Sequence, residues 1–149
     1  MTVRVVTDST CDLPGEVVSR LKIHVIPLYI HAGGRDYLDG VDLSRQEFYE
    51  KLPNFHEHPT TAVPSQHKFK AVYDALADEG ATQVLSIHIS ETLSAIVNVA
   101  RAAAAETTSL PVTVLDSGQL SLGIGFLAQK AAELALQGQT VEQILPVLE

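Results

Sequence analysis

The chain has 149 residues, of which 46% are hydrophobic and 19% charged, and a formal net charge of −8. This composition suits one ordered domain spanning residues 1–149, long enough to bury a real core. The acidic balance argues against nucleic acid or an anionic membrane surface as the main partner, because both are held by clustered Lys and Arg; a single small carboxylate ligand, whose site is local, remains compatible with it.

Short β-branched runs alternate with runs of helical period. Val3 to Val6 reads as a first strand and, with Arg4 inside it, not as a secretory leader. A helix follows Asp12-Leu13-Pro14, with Val17, Val18 and Leu21 on its inner face. Ile23 to Ile30 is expected as a second strand. Ser44-Arg45-Gln46-Glu47 is a capping box, in which Ser and Glu satisfy each other's backbone donors. Ser65 takes the N-cap place of a helix that turns Phe69, Val72 and Leu76 inward and stops at Gly80. Val84 to Ile89 is the third expected strand. Leu93, Ile96, Val97, Ala100 and Ala104 then share one helical face. Val112 to Leu115 is the fourth strand, and a long helix from about Leu120 ends before Gly138. Thr140-Val141-Glu142-Gln143 is another capping box, followed by an apolar stripe of Val141, Ile144, Leu145 and Leu148. That stripe needs a surface, on this domain or on a second one, and a second domain or a partner chain is the favoured expectation.

The alternation predicts an α/β fold, a mainly parallel β-sheet flanked by helices. No apolar run is long enough to cross a bilayer: the longest helical one, Leu93 to Ala105, is broken by Asn98 and Arg101, so no stable membrane insertion is expected. Cys11 is the only cysteine. It allows no intrachain disulfide and fits a reducing, cytoplasmic setting.

In parallel α/β sheets ligands gather at the carboxyl ends of strands. Four polar segments are expected near that edge: Thr7-Asp8-Ser9-Thr10-Cys11-Asp12-Leu13, Pro59-Thr60-Thr61-Ala62-Val63-Pro64-Ser65, Ser90-Glu91-Thr92-Leu93-Ser94-Ala95 and Asp116-Ser117-Gly118-Gln119-Leu120-Ser121. The second carries three hydroxyls, Thr60 and Thr61 between two prolines that stiffen the loop and Ser65 after them, just before a helix. Hydroxyls and free N–H groups at helix starts suit an oxyanion such as a carboxylate. Each segment read alone is also ordinary capping and turn chemistry; their convergence is the functional signal.

Competing motifs fail on inspection. Gly118 and Gly123 have Walker spacing, but Ile124-Gly125 stands where Lys-Ser or Lys-Thr is needed. Gly123-Ile124-Gly125-Phe126-Leu127-Ala128 matches a dinucleotide fingerprint but lies too far past its strand, so these glycines are read as close-packing positions. There is no Gly-x-Ser-x-Gly elbow. His56-Glu57-His58 lacks a spaced third ligand, and no metal site is expected. Asp36, Asp39 and Asp42 around Gly40 read as a solvated turn. Cys11 stands before a helix start, which lowers a thiol pKa, but without a base it reads as a small buried residue. His24, His31, His67 and His88 read as scattered.

The four segments, in this order, resemble the DegV family of bacterial fatty-acid-binding proteins. Tyr37-Leu38-Asp39-Gly40-Val41-Asp42 resembles that family's loop before its capped helix, and Ser121, Gly123 and Gly125 extend the match, which covers nearly the whole chain. The resemblance implies two α/β domains with a fatty acid between them, of which this chain is similar to the first only. It also implies a binding protein without catalysis and without a cofactor, its ligand a long-chain fatty acid. In some members that protein is the lipid-carrying subunit of a fatty acid kinase, whose partner phosphorylates the carried carboxyl group. Carried over by position, Thr61 matches the hydroxyl that holds the carboxylate, and Ser94 with the Ala95 N–H matches the second contact. Thr60, Ser65, Ser9 and Ser117, on the same segments, complete the candidate set. The family usually continues Leu-Ser with Gly-Thr, whereas here Ala95 adds a Cβ and Ile96 replaces a hydroxyl. A homodimer or a second domain would then cover the acyl tail. The alternatives are an interaction domain whose ligand site has decayed at Ala95-Ile96, and a hydrolase using Ser94, for which no base is visible.

Overall fold

A computed structural model describes residues 2–149. A main sheet of four parallel strands holds β1 (Val3–Asp8), β2 (His24–Ile26), β6 (Gln83–His88) and β7 (Val112–Asp116) in the order β2-β1-β6-β7. A second, antiparallel sheet holds β3 (Tyr29–Ala32), β4 (Arg35–Leu38) and β5 (Thr60–Ala62) in the order β4-β3-β5. Six helices join them: α1 (Gly15–Leu21), α2 (Arg45–Lys51), α3 (Gln66–Asp78), α4 (Ile96–Glu106), α5 (Leu122–Leu136) and α6 (Val141–Leu148). The architecture is the expected α/β one, with an antiparallel annex that the sequence reading lacks.

The annex arises at Pro27. The single strand expected over Ile23 to Ile30 is two strands in two sheets, because proline has no N–H to give a ladder. β2 ends at Ile26, the Leu28 N–H turns aside to the Ser9 hydroxyl at 3.1 Å, and β3 begins at Tyr29. The stiff loop between Pro59 and Pro64 likewise contains β5, which pairs Thr61 with Ile30 and Thr60 with His31.

The main sheet is buried because it is covered. Val84, Leu85, Ser86, Ile87 and His88 are each shielded completely. α3 lays Phe69, Tyr73 and Leu76 into the core, and α4 lays Ile96, Val97, Ala100 and Ala103. α4 starts at Ile96 rather than Leu93, because Leu93 and Ser94 close a turn on the Ser90 carbonyl first; Leu93 is left 60% exposed. α5 packs along β1, which requires a close approach at Gly125: a Cβ there would lie 2.5 Å from the Cys11 carbonyl oxygen.

Both capping boxes form. The stripe of α6, expected to need a second domain or partner chain, finds its surface within this domain. Val141 and Ile144 are buried against α5 and β6. The apolar face was legible in sequence, whereas its partner depended on how α5 crosses the sheet.

Candidate functional site

Parallel strands bring their carboxyl ends to one edge, and three of the four polar segments meet there. The Asp8 carboxylate accepts from the Ile89 N–H at 3.2 Å, tying the end of β1 to the end of β6. Asp116 accepts from the Glu91 N–H at 3.2 Å, and the Ser90 N–H donates to the Gln119 carbonyl at 3.0 Å, tying β6 to β7. The Ser121 hydroxyl donates to Asp12 at 2.6 Å and closes the circle back to β1.

The fourth segment joins through a cleft of about 330 Å³ between the two sheets. Thr60 and Thr61 of β5 line it with Thr10, Asp12 and Ser121, and its apolar walls include Leu28, Ile30, Phe48 and Leu120. Arg45, at the first turn of α2, gives the cleft its cation. Its guanidinium donates to the Ser9 carbonyl at 2.6 Å and pairs with Asp12 at 2.8 Å and Asp39 at 3.2 Å. The three aspartates expected in one solvated turn divide: Asp36 lies in β4 beside His31, Asp39 pairs with Arg45, and Asp42 accepts from the Leu38 N–H at 2.8 Å.

The seven candidate residues separate. Thr60 and Thr61 are exposed and share the cleft. Ser94 and Ala95 stand at the start of α4, half-buried and exposed respectively, and are not among the residues lining that cleft. The Ser94 hydroxyl accepts from the Ile96 N–H at 3.3 Å. Ser65 holds the N-cap position of α3 with its side chain making no cap bond. Ser9 is buried, its hydroxyl committed to Leu28. Ser117 lines a separate cleft of about 370 Å³ with Leu145 and Leu148, and its hydroxyl accepts from the Gln119 N–H at 3.1 Å.

Behind the edge lies a polar chain that sequence reasoning missed. The fully buried His88 donates from Nδ1 to Asp8 at 2.9 Å. Its Nε2 meets the Ser86 hydroxyl at 2.7 Å, and Ser86 meets the Tyr73 hydroxyl at 2.9 Å. Burial alone would raise the Asp8 carboxyl. The hydrogen bond and charge of His88, with bonds from Thr10 and Ile89, outweigh it and hold Asp8 below the ordinary aspartate value. Burial pushes the Tyr73 hydroxyl up to about 12, so it stays protonated and can donate along the chain. The order carboxylate, imidazole, hydroxyl is that of a nucleophilic triad, but Ser86 and His88 have no exposed surface, and the hydroxyl already has two partners. The arrangement locks strands together. A signal was present in sequence: β1 and β6 each end an apolar run in a titratable residue.

Burial pushes the Cys11 thiol up, and the charges of Asp8 and Asp12 add to it, so the helix start does not activate it. His56, Glu57 and His58 are exposed, and among the described residues no three His, Cys, Asp or Glu side chains are grouped to hold a metal ion.

A parallel sheet with a half-apolar cleft beyond its carboxyl edge defines a small α/β domain with a candidate ligand site. The profile of DegV, described as an uncharacterised protein family, matches residues 2–149, and the chain belongs to the DegV family. It is 42% identical over 149 residues to a DegV domain-containing protein of Deinococcus radiodurans, covering 100% of this chain and 52% of that one. It is 35% identical to one from Listeria innocua, covering 99% and 52%. Among solved structures, a fatty-acid-binding DegV family protein from Thermus thermophilus superposes with a TM-score of 0.89 at 40% identity, covering 99% of this chain and 52% of that chain. DegV from Bacillus subtilis, a fatty acid binding protein, gives 0.92 at 34% identity with the same coverage. The chain spans about half the length of the curated relatives it matches.

Proposed function

We propose that this domain binds a long-chain fatty acid and presents its carboxyl group to a partner kinase, without catalysing a reaction itself. The observation that carries the reading is the cleft between the sheets, where Thr60 and Thr61 meet a wall of Leu28, Ile30, Phe48 and Leu120. One end can donate hydrogen bonds to a carboxylate, and the rest can take a hydrocarbon chain. Each buried CH₂ contributes about 0.8 kcal/mol, so the tail supplies most of the affinity and the hydroxyls set the position of the head. Ser94 and the Ala95 N–H at the α4 start, which do not line that cleft, are assigned the second head-group contact by their match to the family's pattern. The similarity to fatty-acid-binding proteins of Thermus thermophilus and Bacillus subtilis supports the ligand class.

The cleft is open, and Leu93, Leu120, Leu122 and Phe126 expose 44% to 64% of their surface. An acyl tail needs more apolar cover than that, which a second domain or a second chain supplies. The test is native mass spectrometry of the full-length protein followed by solvent extraction and lipid analysis. A co-purifying fatty acid, its occupancy reduced in Thr61→Val, is the expected result. A full-length protein that neither retains nor takes up palmitate overturns the reading and leaves an interaction domain.

A further inference from the structure

Among the described residues, three other than glycine have positive φ: Asp12 at 52°, Lys22 at 53° and Ser121 at 57°. Lys22 is the C-cap of α1, an ordinary place for a left-handed residue. The other two lie 109 positions apart in sequence and are hydrogen-bonded to each other at 2.6 Å, and both line the cleft of Thr60 and Thr61. Asp12, at ψ 23°, sits in the left-handed well that aspartate tolerates. Ser121, at ψ −134°, lies outside it, in a region that residues with a Cβ avoid. Such a conformation persists only where its surroundings over-determine it.

Those surroundings are visible. The Ser121 hydroxyl must donate, since its partner is a carboxylate, and the second Asp12 oxygen is held by Arg45, itself tied to Ser9 and Asp39. On the other side, the Ser121 carbonyl accepts from the Ile124 and Gly125 N–H groups, and Gly125 is pressed against the Cys11 carbonyl. The residue before Ser121 is Leu120, 55% exposed and part of the cleft wall. A second positive φ, at Gly118, lies just upstream. The bond to Asp12 is the side-chain hydrogen bond of Ser121, and Leu120 directly precedes that residue.

We propose that the Asp12–Ser121 bond is a clamp that positions Leu120 over the ligand cleft, and that its opening governs ligand entry and release. Asp12 and Ser121 are positioning residues that act through Leu120. The inference rests on the fatty-acid reading above, and its test separates the two. In the full-length protein loaded with a fluorescent polyene fatty acid, release to excess albumin is followed by stopped flow. Ser121→Ala and Asp12→Asn each speed release about tenfold or more, the scale of a lost charge-assisted hydrogen bond, and the double variant is no faster than the quicker single one. Ser121→Gly separates clamp from scaffold. It removes the strain, so its melting temperature stays at or above that of the parent, while release is still fast. Parent-like release from both Ser121 variants overturns the clamp. If the parent protein binds no fatty acid, the ligand reading fails, and the clamp is then read from amide hydrogen exchange at Gly123, Ile124 and Gly125. Faster exchange in Ser121→Ala supports it and unchanged exchange overturns it.

Discussion

The interior of the main sheet and the outer strand of the small one treat polar side chains in opposite ways. Along β6 the polar Ser86 and His88 are completely buried and joined to Asp8 and Tyr73 in one chain of hydrogen bonds. Along β5 every residue is exposed, and Thr60 and Thr61 line a cleft. A buried polar group is tolerated only with its partners in place, so β6 polarity is bound up with stability. An exposed hydroxyl carries no such penalty and remains available to a ligand. The same residue chemistry thus holds the scaffold in one sheet and offers a binding surface in the other.

The largest break of this contrast is expected from His88→Ala, which strands the Asp8 carboxylate without its buried partner. Urea denaturation should register a loss of about 3–5 kcal/mol, and a loss below about 1 kcal/mol would mean that the buried chain contributes little. Asp8 also predicts the acid limit of the fold. Its pKa is depressed on folding, so its contribution is complete above the unfolded value near 3.8 and fades as pH falls through the lower folded value. Stability measured from pH 7 downward should therefore fall below about pH 4, and fall less steeply in Asp8→Asn.

A smaller but still large effect is expected from Ile144→Ala, at about 2–5 kcal/mol by the same measurement, if α6 is a true part of this core. Parent-like stability would mean that α6 is docked without contributing. Gly125→Ala should cost about 1–3 kcal/mol, because the new Cβ meets a backbone carbonyl that cannot rotate away. At the other extreme, Thr61→Val should change stability by no more than about 0.5 kcal/mol, since the residue is exposed and valine suits a strand. Its effect belongs to the ligand: palmitate affinity in the full-length protein should fall about tenfold or more, as calorimetry would read. A Thr61→Val protein that unfolds early while binding normally would erase the division between the two sheets.

Much of the scaffold was legible because its signals are local. The capping box at Ser44, the helix stop at Gly80 and the apolar face of α4 each depend on residues within a few positions of one another. The close-packing role of Gly125 was also legible, though its contact, the Cys11 carbonyl, was not. The division of Ile23 to Ile30 was missed although Pro27 stood in the middle of it, because a β-branched run on either side of one proline still looks like one strand. The α6 stripe is legible as an apolar face, but nothing local in the sequence says that α5 and β6 cover it. Of the candidate site, the four hydroxyl-bearing segments were recognised by order and composition, and three are hydrogen-bonded at one edge. Thr60 and Thr61 share a cleft with Thr10, Asp12 and Ser121, whereas Ser9 turned out to serve the backbone of Leu28.

Read along the chain alone, the residues specify the α/β alternation and the helix boundaries marked by caps and glycines. These follow from backbone sterics and from hydrogen bonds that span one turn. Long-range packing brings Asp8 and His88, 80 positions apart, into a proton-bearing contact, closes Arg45 on Asp12 and Asp39, and sets Ser121, with its positive φ, against Asp12. Sheet order and register set those distances, and they are outcomes of packing the whole chain at once. No spacing along it encodes which strand lies beside which.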